Sequence, residues 1–144
     1  MKVYTIGFTK KNAEQFFTCL DQPGLIRLID IRLNNVSQLA GFTKRDDLKF
    51  FLSRINRIEY LHRLDMAPTK ELLDEYKKNG EDWGLYQTRF LKLISERGIE
   101  KQINRTIIDG ACLLCSESTP DYCHRRLVAE YLQTHWVDLE IIHL

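Results

Sequence analysis

Residues 26 to 32, Ile26-Arg27-Leu28-Ile29-Asp30-Ile31-Arg32, would carry apolar side chains to both faces of an extended chain. A strand of that kind has to be covered on both sides, which is the mark of a central strand in a parallel sheet. Strand-like and helix-like segments alternate around it. Residues 2 to 8 read as a first strand, and residues 10 to 20 as a helix with Ala13, Phe16, Phe17 and Leu20 on one face and Thr9 placed to cap it. Pro23-Gly24 stops that helix. After a polar loop over 33 to 42, Thr43-Lys44-Arg45-Asp46 has the look of a capping box, and the helix behind it carries Leu48, Phe51, Leu52 and Ile55 as one stripe. Residues 58 to 64 form a third strand. Helices over 69 to 78 and 82 to 97 follow, punctuated by Asn79-Gly80 and ended by Gly98. Residues 110 to 117 read as a fourth strand, 120 to 134 as a helix, and 137 to 144 as a fifth strand. This order predicts one α/β domain over 1 to 144, with three layers: a mostly parallel central sheet of about five strands and helices on both faces.

Charge narrows the function classes. With 21 Lys plus Arg against 20 Asp plus Glu the formal net charge is +1, so no global field draws the chain to nucleic acid or to an anionic membrane, and any basic site must be local. A hydrophobic content of 44% describes a globular domain, and no apolar run approaches the ~20 residues of a membrane span. The first residues turn polar too soon for a signal peptide, so the expected location is the cytoplasm and the four cysteines are expected to be reduced.

The densest chemistry lies in residues 115 to 126, Cys115-Ser116-Glu117-Ser118-Thr119-Pro120-Asp121-Tyr122-Cys123-His124-Arg125-Arg126, between the fourth strand and the last helix. Ligands of open α/β sheets bind at that edge. Cys115, at the strand end and facing a helix N-terminus and an arginine, has the surroundings that favour a thiolate. Glu117 falls on the same face as Cys115 and can act as acid or base; Cys123 is a second nucleophile or a resolving thiol. The spacing fits neither a Cys-x5-Arg phosphatase loop nor a redox Cys-x-x-Cys. Thr119-Pro120 reads as the helix start, whose free N–H groups welcome an anion. Thr9, Asp30, Arg32, Arg125 and Arg126 would gather at the same edge, with Arg32 and Arg125 clamping one oxyanion. Cys115, Cys123 and His124 offer a three-ligand metal site, whereas Cys112 lies three residues from Cys115 on a strand and points to the other face. Structural roles compete with these. Cys112 and Cys19 suit packing, Asp30 can pair with Arg32 or Arg125, Glu117 with Arg125 or Arg126, and His124 can be buried on a backbone carbonyl or a carboxylate. His62 ends the third strand at the functional edge, while His135 and His143 suit the surface or a sheet edge. Trp83, Tyr86 and Phe90 have the spacing of helix packing first and of base stacking second.

Several of these motifs together carry a resemblance: Tyr4-Thr5-Ile6-Gly7; Asp30-Ile31-Arg32 with Ser37 and Phe42; Ile58-Glu59-Tyr60-Leu61-His62; Leu114-Cys115-Ser116-Glu117; Cys123-His124-Arg125-Arg126; and Ile142-His143-Leu144. Over nearly the whole length the chain resembles domain-of-unknown-function family 488, with the Cys-x-Glu and Cys-His-Arg elements as the specific part. Members usually carry His after Thr-Ile-Gly, where this chain has Phe8, and often Pro a few residues beyond Asp-x-Arg, where it reads Leu33-Asn34-Asn35-Val36. The resemblance implies a compact α/β domain, adds Ser37 to the ligand-site candidates, and supplies neither substrate nor cofactor. The residues themselves point to a small enzyme or enzyme-like protein that binds an anionic, phosphate-bearing ligand, a nucleotide or nucleic-acid end being the first class to try, with Cys115, Glu117, Cys123 and His124 as reactive groups. The competing class is a non-catalytic binding module, with a metal held by Cys115, Cys123 and His124.

Overall fold

The computed structural model describes residues 1–36 and 41–144; Ser37 lies outside the described residues. Five strands, β1 (Lys2–Gly7), β2 (Arg27–Asp30), β3 (Glu59–His62), β4 (Ala111–Cys115) and β5 (Glu140–His143), form one sheet in the order β3-β2-β4-β1-β5. Every pairing in it is parallel. Helices α1 (Ala13–Cys19) and α2 (Arg45–Phe51) cover one face; α3 (Lys70–Lys78), α4 (Trp83–Arg97), the short α5 (Ile99–Gln102) and α6 (Arg105–Ile108), and α7 (His124–His135) cover the other. The three-layer α/β expectation is met, and the sheet is wholly parallel.

Alternation along the strands builds two cores. Tyr4, Ile6, Leu28, Cys112 and Leu114 meet Phe16, Phe17, Leu20, Leu48 and Leu52 on one face. Val3, Ile29, Ala111 and Leu113 meet Phe90, Ile94, Leu127, Val128 and Leu132 on the other. Cys112 therefore packs with α1 and α2, as its parity against Cys115 requires.

Right-handed crossovers explain the layering. Connections from β1 to β2 and from β2 to β3 run toward one edge of the sheet and place α1 and α2 on one face. Connections from β3 to β4 and from β4 to β5 run the opposite way and place α3 to α7 on the other. At the C-terminal ends of the neighbouring strands β2 and β4 the chain thus departs in opposite directions. That is the topological switch point, where a crevice opens.

Several local expectations are corrected. The cap of α1 is Asn12, which exchanges a reciprocal capping-box pair with Gln15; Thr9 instead donates its hydroxyl to the Ser116 carbonyl at 2.6 Å. Lys44 precedes α2 with no side-chain cap. Behind α2 the chain widens into a π turn over Leu52–Asn56, closed by Arg57 in the left-handed region at φ 58°. That wider turn rotates later residues off an α-helical stripe. Ile55 is consequently 56% exposed and Phe51 only half-buried, whereas Leu48 and Leu52 are sealed. Tyr131 is also half-buried, its hydroxyl donating to Glu100. The last helix begins at His124, not at Pro120, with Cys123 as its N-cap residue; Thr119 and Pro120 belong to the loop. The strands are shorter than the segments expected from sequence, at both ends for β2, β3 and β4.

Candidate functional site

Cys115 is the last residue of β4, and the loop behind it folds back so that the first turn of α7 lies over its thiol. Cys115 Sγ is 3.1 Å from His124 Nδ1. On the far side of the ring, His124 Nε2 sits 2.8 Å from the carbonyl oxygen of Ile31, just beyond β2. A carbonyl can only accept, so Nε2 carries the proton and Nδ1 presents its lone pair to the thiol. Adjacency of β2 and β4 makes this possible: Ile31 N–H itself donates to Leu114 O at 3.2 Å. The imidazole is buried, with its ring packed edge-on against Phe90 at 5.4 Å and 66°.

Electrostatics around the two neighbouring thiols differ. Burial drives the Cys115 thiol up, yet its hydrogen bonds with the Cys123 thiol and the Ser116 N–H, together with the Arg125 charge, outweigh that and hold it below an ordinary thiol. Glu117 acts weakly in the opposite sense. Cys123 is pushed well up, by burial first and by Cys115 second, and stays a neutral thiol. Burial also pushes Cys112 up. The thiolate is thus favoured at Cys115.

Arg125 is wholly buried and pairs with no carboxylate among the described residues. Its Nη1 donates to the Glu117 carbonyl, while Nε and Nη2 are buried without a partner among the described residues. An uncompensated buried cation is costly. Its charge lowers the Cys115 thiol, so a thiolate there supplies part of the missing compensation.

A cavity of about 230 Å³ opens over this group at the switch point, and Cys115, Ser116, Cys123, His124, Arg32 and Glu117 are among the residues that line it. Arg32 is committed: Nε and Nη2 reach the two Asp30 carboxylate oxygens at 2.8 Å each, Nη2 also donates to Thr43 O at 2.7 Å, and the guanidinium lies over the Phe8 ring. Asp30 is sealed and accepts a further bond from Tyr60 OH at 2.7 Å; burial, then Asp30, pushes that phenol up. His62 joins the same girdle, its Nε2 2.9 Å from Arg32 O. Glu117 carries no ion pair among the described residues, since Arg125 takes its backbone carbonyl and Arg126 reaches Glu130 and the Asp121 carbonyl.

Of the candidates named from sequence, the structure brings Cys115, Glu117, Cys123, His124 and Arg32 to one cavity. Asp30 stands behind Arg32; Thr9 ties the loop after β1 to the loop after β4; Arg125 lies beneath the site and Arg126 at the surface side of α7. The aromatic wall of the cavity, Tyr76, Trp83, Tyr86 and Tyr122, belongs to the site as well. Helical spacing marked Trp83 and Tyr86 for packing first and base stacking second, and Tyr76 and Tyr122 gave no sequence signal that separates a cavity wall from a surface ring. Nδ1 of His124 and the sulfurs of Cys115 and Cys123 lie within 4.8 Å of one another, a spacing that also suits a metal ion.

The profile of the family described as "Domain of unknown function DUF488" matches residues 12–132. The chain belongs to this family. Asp30-Ile31-Arg32, Cys115-Ser116-Glu117 and Cys123-His124-Arg125 all fall inside the matched range, so the family-like segments are those that meet at the switch point. Thr5-Ile6-Gly7 lies ahead of it and supplies the close contact beneath Glu117. No curated protein matches the chain. No solved structure matches it either. Among the described residues no helix is long and apolar enough to cross a membrane.

Proposed function

We propose that the chain is a small enzyme in which Cys115 is a nucleophile, His124 its proton acceptor, and the switch-point cavity the ligand site. The observation that carries this reading is the line from Ile31 O through His124 to Cys115 Sγ, which sets the imidazole tautomer and aims its free nitrogen at a thiol already biased toward ionisation. Chemically the step is simple. The Cys115 proton passes to Nδ1, the sulfur lone pair forms a bond to an electrophilic carbon of the ligand, and the departing group takes the proton back from His124. Of the two arginines expected to clamp an anion, only Arg32 lines the cavity among the described residues. A phosphate or carboxylate on the ligand would therefore rest on Arg32 and on the His124 and Arg125 N–H groups at the start of α7, the Arg126 N–H being taken by the Cys123 carbonyl.

Alkylation by iodoacetamide as a function of pH tests the nucleophile. Cys115 is expected to react with an inflection below the ~8.5 of a free thiol. His124→Ala and Arg125→Met should both move that inflection upward, because each removes a group that favours the thiolate. An inflection at or above the ordinary value in the wild type would overturn the reading. A second reading has its own observation, the spacing of Cys115, Cys123 and His124 around one point. In that case the purified protein carries one zinc per chain by elemental analysis, and Cys115 and Cys123 resist alkylation until a chelator is added.

A further inference from the structure

The cavity above Cys115 is too small for a large ligand, and its walls are flat. At about 230 Å³ it falls below the ~300–1,000 Å³ of pockets that take drug-sized molecules, so it admits one ring system and little more. Trp83 and Tyr86 are stacked at 5.2 Å and 26°, and Tyr76 packs against Tyr86 at 4.9 Å. Tyr122 stands nearly upright to Trp83, at 5.7 Å and 82°, and is 66% exposed. Tyr86 is sandwiched between Trp83 and Phe90, so the half-buried Trp83, with Tyr122 upright beside it, is the ring on which an aromatic ligand can stack.

Polarity on the remaining sides narrows the class. Glu117 lines the cavity with a carboxylate that has no ion pair among the described residues and can only accept hydrogen bonds, while Arg32 and the α7 N-terminus can only donate. A purely cationic ligand would meet the guanidinium, and a purely anionic one the carboxylate. A neutral ring with donors on one edge and acceptors on another meets neither obstacle.

Resting on the reading of Cys115 as a nucleophile beside this cavity, we infer that the ligand is an aminated nucleobase, adenine, guanine or cytosine, stacked on Trp83 with its exocyclic amino group, which uracil lacks, on Glu117. The base can belong to a free nucleoside or nucleotide, or to an unpaired residue of a strand.

Calorimetric titration of the full chain with adenosine, guanosine, cytidine and uridine tests the assignment. At least one aminated nucleoside should bind saturably and about tenfold or more tighter than uridine. Removing the stacking ring in Trp83→Leu should weaken it about tenfold, the scale of one base–aromatic contact, whereas Trp83→Phe should keep most of the affinity. Glu117→Gln changes an exposed side chain with no ion pair among the described residues and should leave folding intact while weakening the aminated base alone. Absence of saturable binding by all four nucleosides, equal binding of uridine, or affinity untouched by Glu117→Gln would overturn the proposal. A single-stranded trinucleotide that binds more tightly than its nucleosides identifies a strand as the source, and equal or weaker binding a free nucleotide; both keep the base in the site. The alkylation profile needs no nucleoside. A low Cys115 inflection without nucleoside binding therefore sinks the ligand class alone, and binding with an ordinary inflection sinks the nucleophile alone.

Discussion

Phe90→Ala is expected to lower stability by about 3–5 kcal/mol, the usual cost of emptying a large aromatic site in a core. Phe90 is wholly buried in the face of the sheet covered by α3 to α7, parallel to Tyr86 at 5.9 Å and 3°, and edge-on to His124. The same ring thus fills the core and braces the imidazole. Urea titration should show the lost stability as a lower midpoint. In the fraction that stays folded, Cys115 should alkylate with a higher inflection, since a tilted imidazole leaves the 3.1 Å contact with the thiol. Phe90→Leu keeps most of the volume and separates the two effects: stability should recover much of its loss, while the ring contact with His124 does not return. An unchanged urea midpoint for Phe90→Ala would show that α4 does not pack as described. Phe51→Ala, which the sequence pattern would rank beside it, should cost less because Phe51 keeps part of its surface in water.

Gly7→Ala should be comparably damaging for a different reason. Gly7 ends β1 opposite Cys115 in the parallel register, and a Cβ there would lie 1.6 Å from the Glu117 carbonyl oxygen and 2.7 Å from Arg125 Nη1. Conformational freedom is not the issue; space is. Backbone cannot yield as a side-chain tip does, so the loop after β4 has to move and the Arg125 bond to that carbonyl has to break. The cost should reach at least about 3 kcal/mol, the upper part of the range for overpacking. Because Arg125 moves with the loop, the Cys115 inflection should rise as well. Thermal melting and the alkylation profile read the two consequences separately, and a variant with wild-type melting would refute the contact.

Much of the fold was legible because its signals are local. The doubly apolar run around Leu28 and Ile29 demanded a covered central strand, and Phe16, Phe17, Leu20, Leu48 and Leu52 fell on stripes that had to be buried. Asp82 before α4, with its side chain on Leu85 N–H, and Gly98 after it, at φ 61°, bounded the longest helix. Ile55 escaped that logic because a π turn changes the angular step within a single turn, and α5 and α6 were missed because four residues are too few for a period to show. Thr119-Pro120 made a good helix start in isolation. In the folded chain those residues instead form the loop that carries Cys123 and His124 back over Cys115, and burial of those two side chains outweighs the local preference.

The sequence alone determined that this chain is an α/β domain and that its densest cluster of reactive side chains lies between the fourth strand and the last helix, since apolar period and residue type are properties of neighbours along the chain. Tertiary structure decided what those groups are. Strand order placed β2 beside β4, so a carbonyl after Asp30 could orient an imidazole that comes 93 residues later. Packing assigned Arg32 to Asp30 and buried Arg125 under the loop, and it stood the α4 aromatics over the thiol. Each of these contacts joins segments distant in sequence, and the free energy that selects them comes from burial of the two cores, which no single segment contains.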